Sequence, residues 1–177
     1  MTIPRLLPPL AAIAILSACA VQRKPPPVVA PPPPPRPVAT AAPAPPPVDW
    51  RDVPLTPGTW RYEAAVGKTA AHFGVPAGTP LATLSCDRAA SQVSLHRAGA
   101  APGPVPLSIT TTTLTRAFTA APASGTAPQL VLVLTPRDPV LDAMAFSRGR
   151  FVIEVAGLPA LYLPAWPEVG RVIEDCR

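Results

Sequence analysis

From residue 60 onward apolar and polar side chains alternate in short runs separated by turn residues, the spacing of half-buried β-strands. Trp60 to Val66 and Ala70 to Phe73 form a first predicted pair, followed by Leu81 to Cys86 and Gln92 to Arg97. In the third of these Ala82, Leu84 and Cys86 share a face, and in the fourth Val93 and Leu95 do; Asp87 to Ser91 between them is expected as a hairpin loop. Leu107 to Thr115 is rich in threonine and is expected as one partly exposed strand. Leu130 to Leu134 is unbroken aliphatic, which predicts a strand buried on both faces.

The last third changes period. Asp138 before Pro139 is an N-cap followed by proline at the first helical position, and Gly149 is a terminator, so residues 139 to 148 read as a short helix with Leu141, Met144 and Ala145 as its buried stripe. Phe151, Ile153 and Val155 then alternate with Val152 and Glu154 as a half-buried strand, which turns at Gly157 to Pro159 into Leu161 to Leu163. Pro167 opens a second helix whose apolar face carries Val169, Val172, Ile173 and Cys176. The expectation is a mainly β domain over residues 48 to 177, sandwich or barrel-like, with about eight or nine short strands and two short helices in its last third.

Residues 1 to 47 have a different character. Arg5, the apolar run Leu6 to Leu16, and the small residues Ser17 and Ala18 follow the order of a secretory signal. That run is shorter than the roughly 20 residues a membrane-spanning helix needs. Pro25 to Pro47 holds 13 of the 30 prolines, a composition that favours polyproline II and a disordered, semi-rigid tether, with residues 20 to 48 reaching roughly 90 Å. A docking ligand for an SH3-like groove is the competing reading of the same prolines.

Leu16-Ser17-Ala18-Cys19 resembles a lipobox, the signal at which bacteria cleave a precursor and acylate the new N-terminal cysteine. The resemblance implies a signal peptide over residues 1 to 18, lipid on Cys19 and a membrane partner. Ala20 after the cysteine, where aspartate would imply inner-membrane retention, implies an outer-membrane lipoprotein facing the periplasm. Three cysteines are an odd number for a secreted chain, and acylation of Cys19 would leave Cys86 and Cys176 to pair in an oxidising compartment. A reactive Cys86 thiol with His72 or His96 as base is the alternative. Neither a metal site nor a cofactor is expected, because the remaining cysteines lack zinc-site spacing.

Charge supports the same division. Four of the 15 Lys and Arg residues, namely Arg5, Arg23, Lys24 and Arg36, precede residue 48, leaving 11 basic against 10 acidic residues and a domain net charge of +1. That balance argues against nucleic-acid binding, which needs a basic folded surface. The basic character belongs to the leader and tether.

The segment Asp138 to Arg177, with Leu84-Ser85-Cys86-Asp87, is similar to uncharacterised lipoproteins of alphaproteobacteria, a resemblance that implies no particular activity. Its helix, strand, strand, helix ending also resembles the invasion-associated locus B type of periplasmic β-domain. Ser124-Gly125 matches a fragment of the serine-glycine motif of periplasmic lysozyme inhibitors, without the basic and aromatic residues that follow in that family.

No catalytic constellation emerges. The G-x-S-x-G elbow is absent, and His72 and His96 read as surface or satisfied histidines. Arg148 and Arg150 flank Gly149 and offer two guanidinium groups to a carboxylate-bearing ligand such as a peptidoglycan stem peptide. The structural alternative is that Arg148 complements a helix C-terminus while Arg150 begins a strand. Tyr162 and Trp166, with Trp60, are candidates for a binding face or for packing. The expected function is binding or a structural role in the cell envelope, with a cell-wall glycan or an envelope protein as partner. Inhibition of a cell-wall lytic enzyme and cell-wall hydrolysis are the alternatives.

Overall fold

A computed structural model of the chain describes residues 48 to 177. The signal peptide, Cys19 and the proline tether lie outside the described residues. Nine strands form one antiparallel sheet in the order β1-β2-β3-β4-β7-β6-β5-β8-β9. They are β1 (Thr59–Ala65), β2 (Lys68–Gly74), β3 (Ala82–Asp87), β4 (Gln92–Ala98), β5 (Val105–Thr110), β6 (Thr115–Pro122), β7 (Gln129–Leu134), β8 (Arg150–Val155) and β9 (Leu161–Pro164). Two helices, α1 (Pro139–Ala145) and α2 (Pro167–Asp175), complete the fold.

The sheet curls until its edges meet. Trp60 on β1 is 5% exposed and its indole N–H donates to the Pro164 carbonyl on β9 at 2.8 Å, while Thr56, just before β1, exchanges two hydrogen bonds of 2.9 Å with Tyr162. Gly58 is needed at this closure: its φ is +149°, and a Cβ there would lie 3.0 Å from the Gly74 backbone. The enclosed faces carry Phe73, Leu84, Leu95, Leu107, Ile109, Leu132, Phe151, Ile153 and Leu163. Alternation in β3 and β4 directs these contacts: Ala82, Leu84 and Cys86 point in while Thr83, Ser85 and Asp87 point out.

Two sequence expectations are corrected here. Leu107 to Thr115 is the end of β5, a tight turn at residues 111 to 114, and the first residue of β6. The turn contains neither glycine nor proline. The buried Thr111 side chain makes it instead, accepting from the Thr113 and Leu114 N–H groups and donating to the Leu114 carbonyl. β6 then pairs with β5 through residues 115 to 120 and with β7 through Ala121 and Pro122, so one strand belongs to both halves of the sheet. In the second correction, Leu130 to Leu134 lies in a strand buried on one face only: Leu130, Leu132 and Leu134 point inward and Val133 is 49% exposed.

The helices close the interior. Asp138 caps α1 by accepting from the Val140 N–H at 3.0 Å, and Pro139 occupies the first helical position. The helix ends at Ala145, three residues short of the expected 148, because Ser147 is drawn away: its hydroxyl accepts from the Thr112 N–H and donates to the Arg150 carbonyl. Val140, Leu141 and Met144 form its buried stripe, with Ala145 partly buried beside them. Helix α2 packs on α1 and on β1, β2 and β3 through Val169, Val172 and Ile173. At its end Cys176 is bonded to Cys86 on β3, with Cα atoms 5.5 Å apart, which removes Cys86 as a free thiol. Nearby, Tyr62 donates to Asp175 at 2.7 Å and carries the Arg171 guanidinium over its ring at 3.9 Å.

Arg97 is a buried exception. It points inward from β4, is 5% exposed and donates to the carbonyls of Ala98 and Pro159, thereby pinning the β8–β9 loop to the end of β4. Among the described residues it has no carboxylate partner.

Candidate functional site

The strap before β1, residues 48 to 57, lies across the outer face of β8 and β9 and creates relief there. Arg150 on β8 donates to the Val53 carbonyl, and Thr56 is bonded to Tyr162 on β9. Val152, at an outward position between Arg150 and Glu154, is therefore only 2% exposed. Two clefts are lined by successive residues of the strap.

The first cleft, about 610 Å³, is lined by Arg51, Thr112, Thr113, Arg148, Gly149 and Arg150. Three arginines and two threonines line it, and among the described residues no carboxylate does. Local geometry explains the arrangement. Gly149 adopts a φ of +79°, which lets the chain reverse between α1 and β8 and sets Arg148 and Arg150 on its two sides. The Arg148 N–H donates to the Thr112 hydroxyl at 3.2 Å, fixing this turn on the β5–β6 turn. Arg51 is partly neutralised by Asp49 at 3.2 Å, and the Arg51 backbone N–H holds the Asp49 carboxyl below its ordinary value. Among the described residues neither Arg148 nor Arg150 forms an ion pair.

The second cleft, about 450 Å³, is lined by Val48, Asp49, Trp50, Thr110, Val152, Glu154 and Tyr162. Its outward positions on β8 continue those of the first, because Arg150, Val152 and Glu154 alternate along one face. Trp50 and Arg51 link the two clefts on the strap side, with the Arg51 guanidinium 4.9 Å from the Trp50 ring centre. Glu154 accepts from the Ser108 hydroxyl at 3.1 Å.

The structure thus brings Arg148 and Arg150 together and puts Tyr162 in the adjoining cleft. Trp166 lines neither cleft; it is the 41% exposed N-cap of α2, and its neighbour Ala165 donates to the Gly149 carbonyl. Trp60 is a core residue, tilted against Phe73 at 5.2 Å. Arg150 begins β8 as expected, whereas Arg148 stands three residues beyond α1 and is not in its last turn. Sequence reasoning missed Trp50 and Arg51. They lie about a hundred residues upstream in a stretch without periodicity, and only the hydrogen bonds of the strap bring them here.

The opposite half of the sheet gathers the histidines. Arg61, His72, Thr83, His96 and Val131 stand side by side across β1, β2, β3, β4 and β7. His72 Nδ1 is 3.0 Å from the Thr83 hydroxyl and Nε2 is 3.5 Å from the Glu63 carboxylate. A hydroxyl, an imidazole and a carboxylate in line have the outline of a nucleophilic triad. The strand around Thr83 lacks the remaining component, however, since β3 is paired on both edges and its backbone N–H groups are spent in the ladders rather than aimed at an oxyanion. Burial holds His96 below its ordinary value, opposed by a hydrogen bond to Gln129 and reinforced by His72. Among the described residues no cluster of three or more His, Cys, Asp or Glu could hold a metal ion, and no helix is long and apolar enough to cross a membrane.

No family model, no curated protein and no solved structure matches this chain.

Proposed function

We propose that this chain is a lipid-anchored lipoprotein of the bacterial envelope whose β domain acts by binding an anionic, carboxylate-bearing ligand in the arginine cleft. The observation that carries the binding half is the cleft itself, where Arg148 and Arg150 face a concavity with no carboxylate of the protein's own. A guanidinium at the surface is readily left in water, but several lining one cleft beside threonines offer the donors that a carboxylate accepts. Leu16-Ser17-Ala18-Cys19 supports the anchor, and Pro25 to Pro47 supports a spacer between lipid and domain. Ala20 favours the outer membrane and a periplasmic domain.

Each half has its own test. Metabolic labelling with palmitate should mark the wild-type chain in the outer-membrane fraction and leave Cys19→Ala unlabelled; an unlabelled wild type would remove the anchor. Titration of the full chain with citrate, followed by NMR of the arginine side chains, should shift Arg148 and Arg150. Citrate without effect on either side chain would remove the anion-binding reading.

A further inference from the structure

The two clefts form one continuous surface with a division of chemistry, and we propose that together they bind an acidic saccharide, with a sugar ring on Trp50 and Tyr162 and its carboxylate on Arg148 and Arg150. This rests on the anion-binding reading above and names the class of ligand.

Continuity comes from the backbone. Arg150 faces the arginine cleft, and Val152 and Glu154, the next outward positions on β8, face the aromatic cleft. On the strap the boundary falls between Trp50 and Arg51, and on β5 and the turn after it between Thr110 and Thr112. A ligand lying against the strap at Trp50 and Arg51 therefore crosses from one chemistry to the other within a few residues. Both volumes lie within the roughly 300 to 1,000 Å³ of small-molecule sites.

The aromatic cleft has the composition that a sugar ring requires. Sugar rings present C–H groups on their faces and hydroxyls at their rims. The electron-rich face of an aromatic ring attracts the former. Carboxylates accept from the latter in charge-assisted hydrogen bonds, and Asp49 and Glu154 stand in the same cleft as Trp50 and Tyr162. A purely anionic ligand finds nothing here, because Asp49 and Glu154 repel it. A neutral sugar, in turn, leaves Arg148 without an ion-pair partner among the described residues and Arg150 with the Val53 carbonyl alone. Only a ligand that is a hydroxylated ring at one end and a carboxylate at the other uses both clefts.

Three small probes separate these contributions. N-acetylglucosamine has the ring alone, lactate the carboxylate alone, and N-acetylmuramic acid is the first carrying the second as an ether. NMR titration of the full chain should show N-acetylmuramic acid shifting both the Trp50 indole and the Arg148 side chain, about tenfold more tightly than either separate probe. Arg148→Gln, which removes a side chain that forms no ion pair among the described residues, should abolish that tenfold advantage while leaving N-acetylglucosamine binding unchanged. Equal affinity for N-acetylmuramic acid and lactate would overturn the saccharide proposal, and so would Trp50 signals that no sugar moves. If citrate still shifts Arg148 and Arg150 in those cases, the anion-binding reading survives without it. If citrate fails as well, both fall.

Discussion

The outer surfaces of the two halves of the sheet have similar ingredients and opposite arrangements. On β1 to β4, charges are spent inside the protein: Glu63 faces His72, Lys68 pairs with Asp87 at 3.0 Å, and Arg88 reaches Asp175. At the start of β8 and the turn before it, Arg148 and Arg150 line one cleft, and among the described residues neither forms an ion pair. Exposed pairs contribute little to stability, roughly 0 to 1 kcal/mol each, so the difference is not chiefly one of folding energy. It separates a surface whose polar groups already have partners from one that has room for an external one.

The most severe way to probe this contrast is to reduce the Cys86–Cys176 bridge, which ties the paired half to α2. Closing a separation of 90 residues should contribute about 4 to 5 kcal/mol by chain entropy, and urea unfolding with and without reductant should show a loss of that order. Next comes the seam where the halves meet. Trp60→Ala should cost about 3 to 5 kcal/mol, since it empties a buried site against Phe73 and leaves the Pro164 carbonyl unbonded. Arg148→Gln should then change affinity for carboxylate ligands about tenfold while shifting stability by no more than about 0.5 kcal/mol. Glu63→Gln, the control on the paired half, should leave carboxylate binding unchanged; a loss equal to that of Arg148→Gln would erase the contrast.

The smallest effect is set by His96. Its folded-state value lies below the ordinary 6.5, so the unfolded chain binds more protons in this range and stability falls as pH drops below about 6.5. The slope cannot exceed one proton, about 1.4 kcal/mol per pH unit, and His96→Gln should flatten it in urea titrations between pH 7 and pH 5. Stability that rose on acidification in this window, and lost that rise in His96→Gln, would invert the assignment.

Much of the fold was legible because its signal is local. Alternation in β3 and β4, the Asp138-Pro139 start of α1 and the Pro167 start of α2 are written in a few adjacent residues, and the core follows them. β6 escaped because Ala120 is its one buried residue, so a strand that crosses between the halves leaves no period to read. The preceding turn escaped because Thr111 makes with a hydroxyl what glycine or asparagine usually makes with backbone. Alternation puts Val152 with Glu154 on the outward face of a half-buried strand, and nothing in its neighbourhood reveals the strap that leaves it 2% exposed. The same cause limited the site: Arg148-Gly149-Arg150 is a local motif, whereas Trp50 and Arg51 join it only through Arg150 and Thr56.

The bridge also imposes an order of events. Cys176 follows all nine strands and the nine residues of α2, whereas Cys86 sits at the end of the third strand. A chain delivered from its N-terminus must carry Cys86 as an open thiol until α2 arrives. Through that interval any other accessible cysteine in the same compartment is a competing partner. A Cys19 whose sulfur is already committed to a thioether would not compete, so the order in which the two reactions occur decides whether oxidation has one outcome or three.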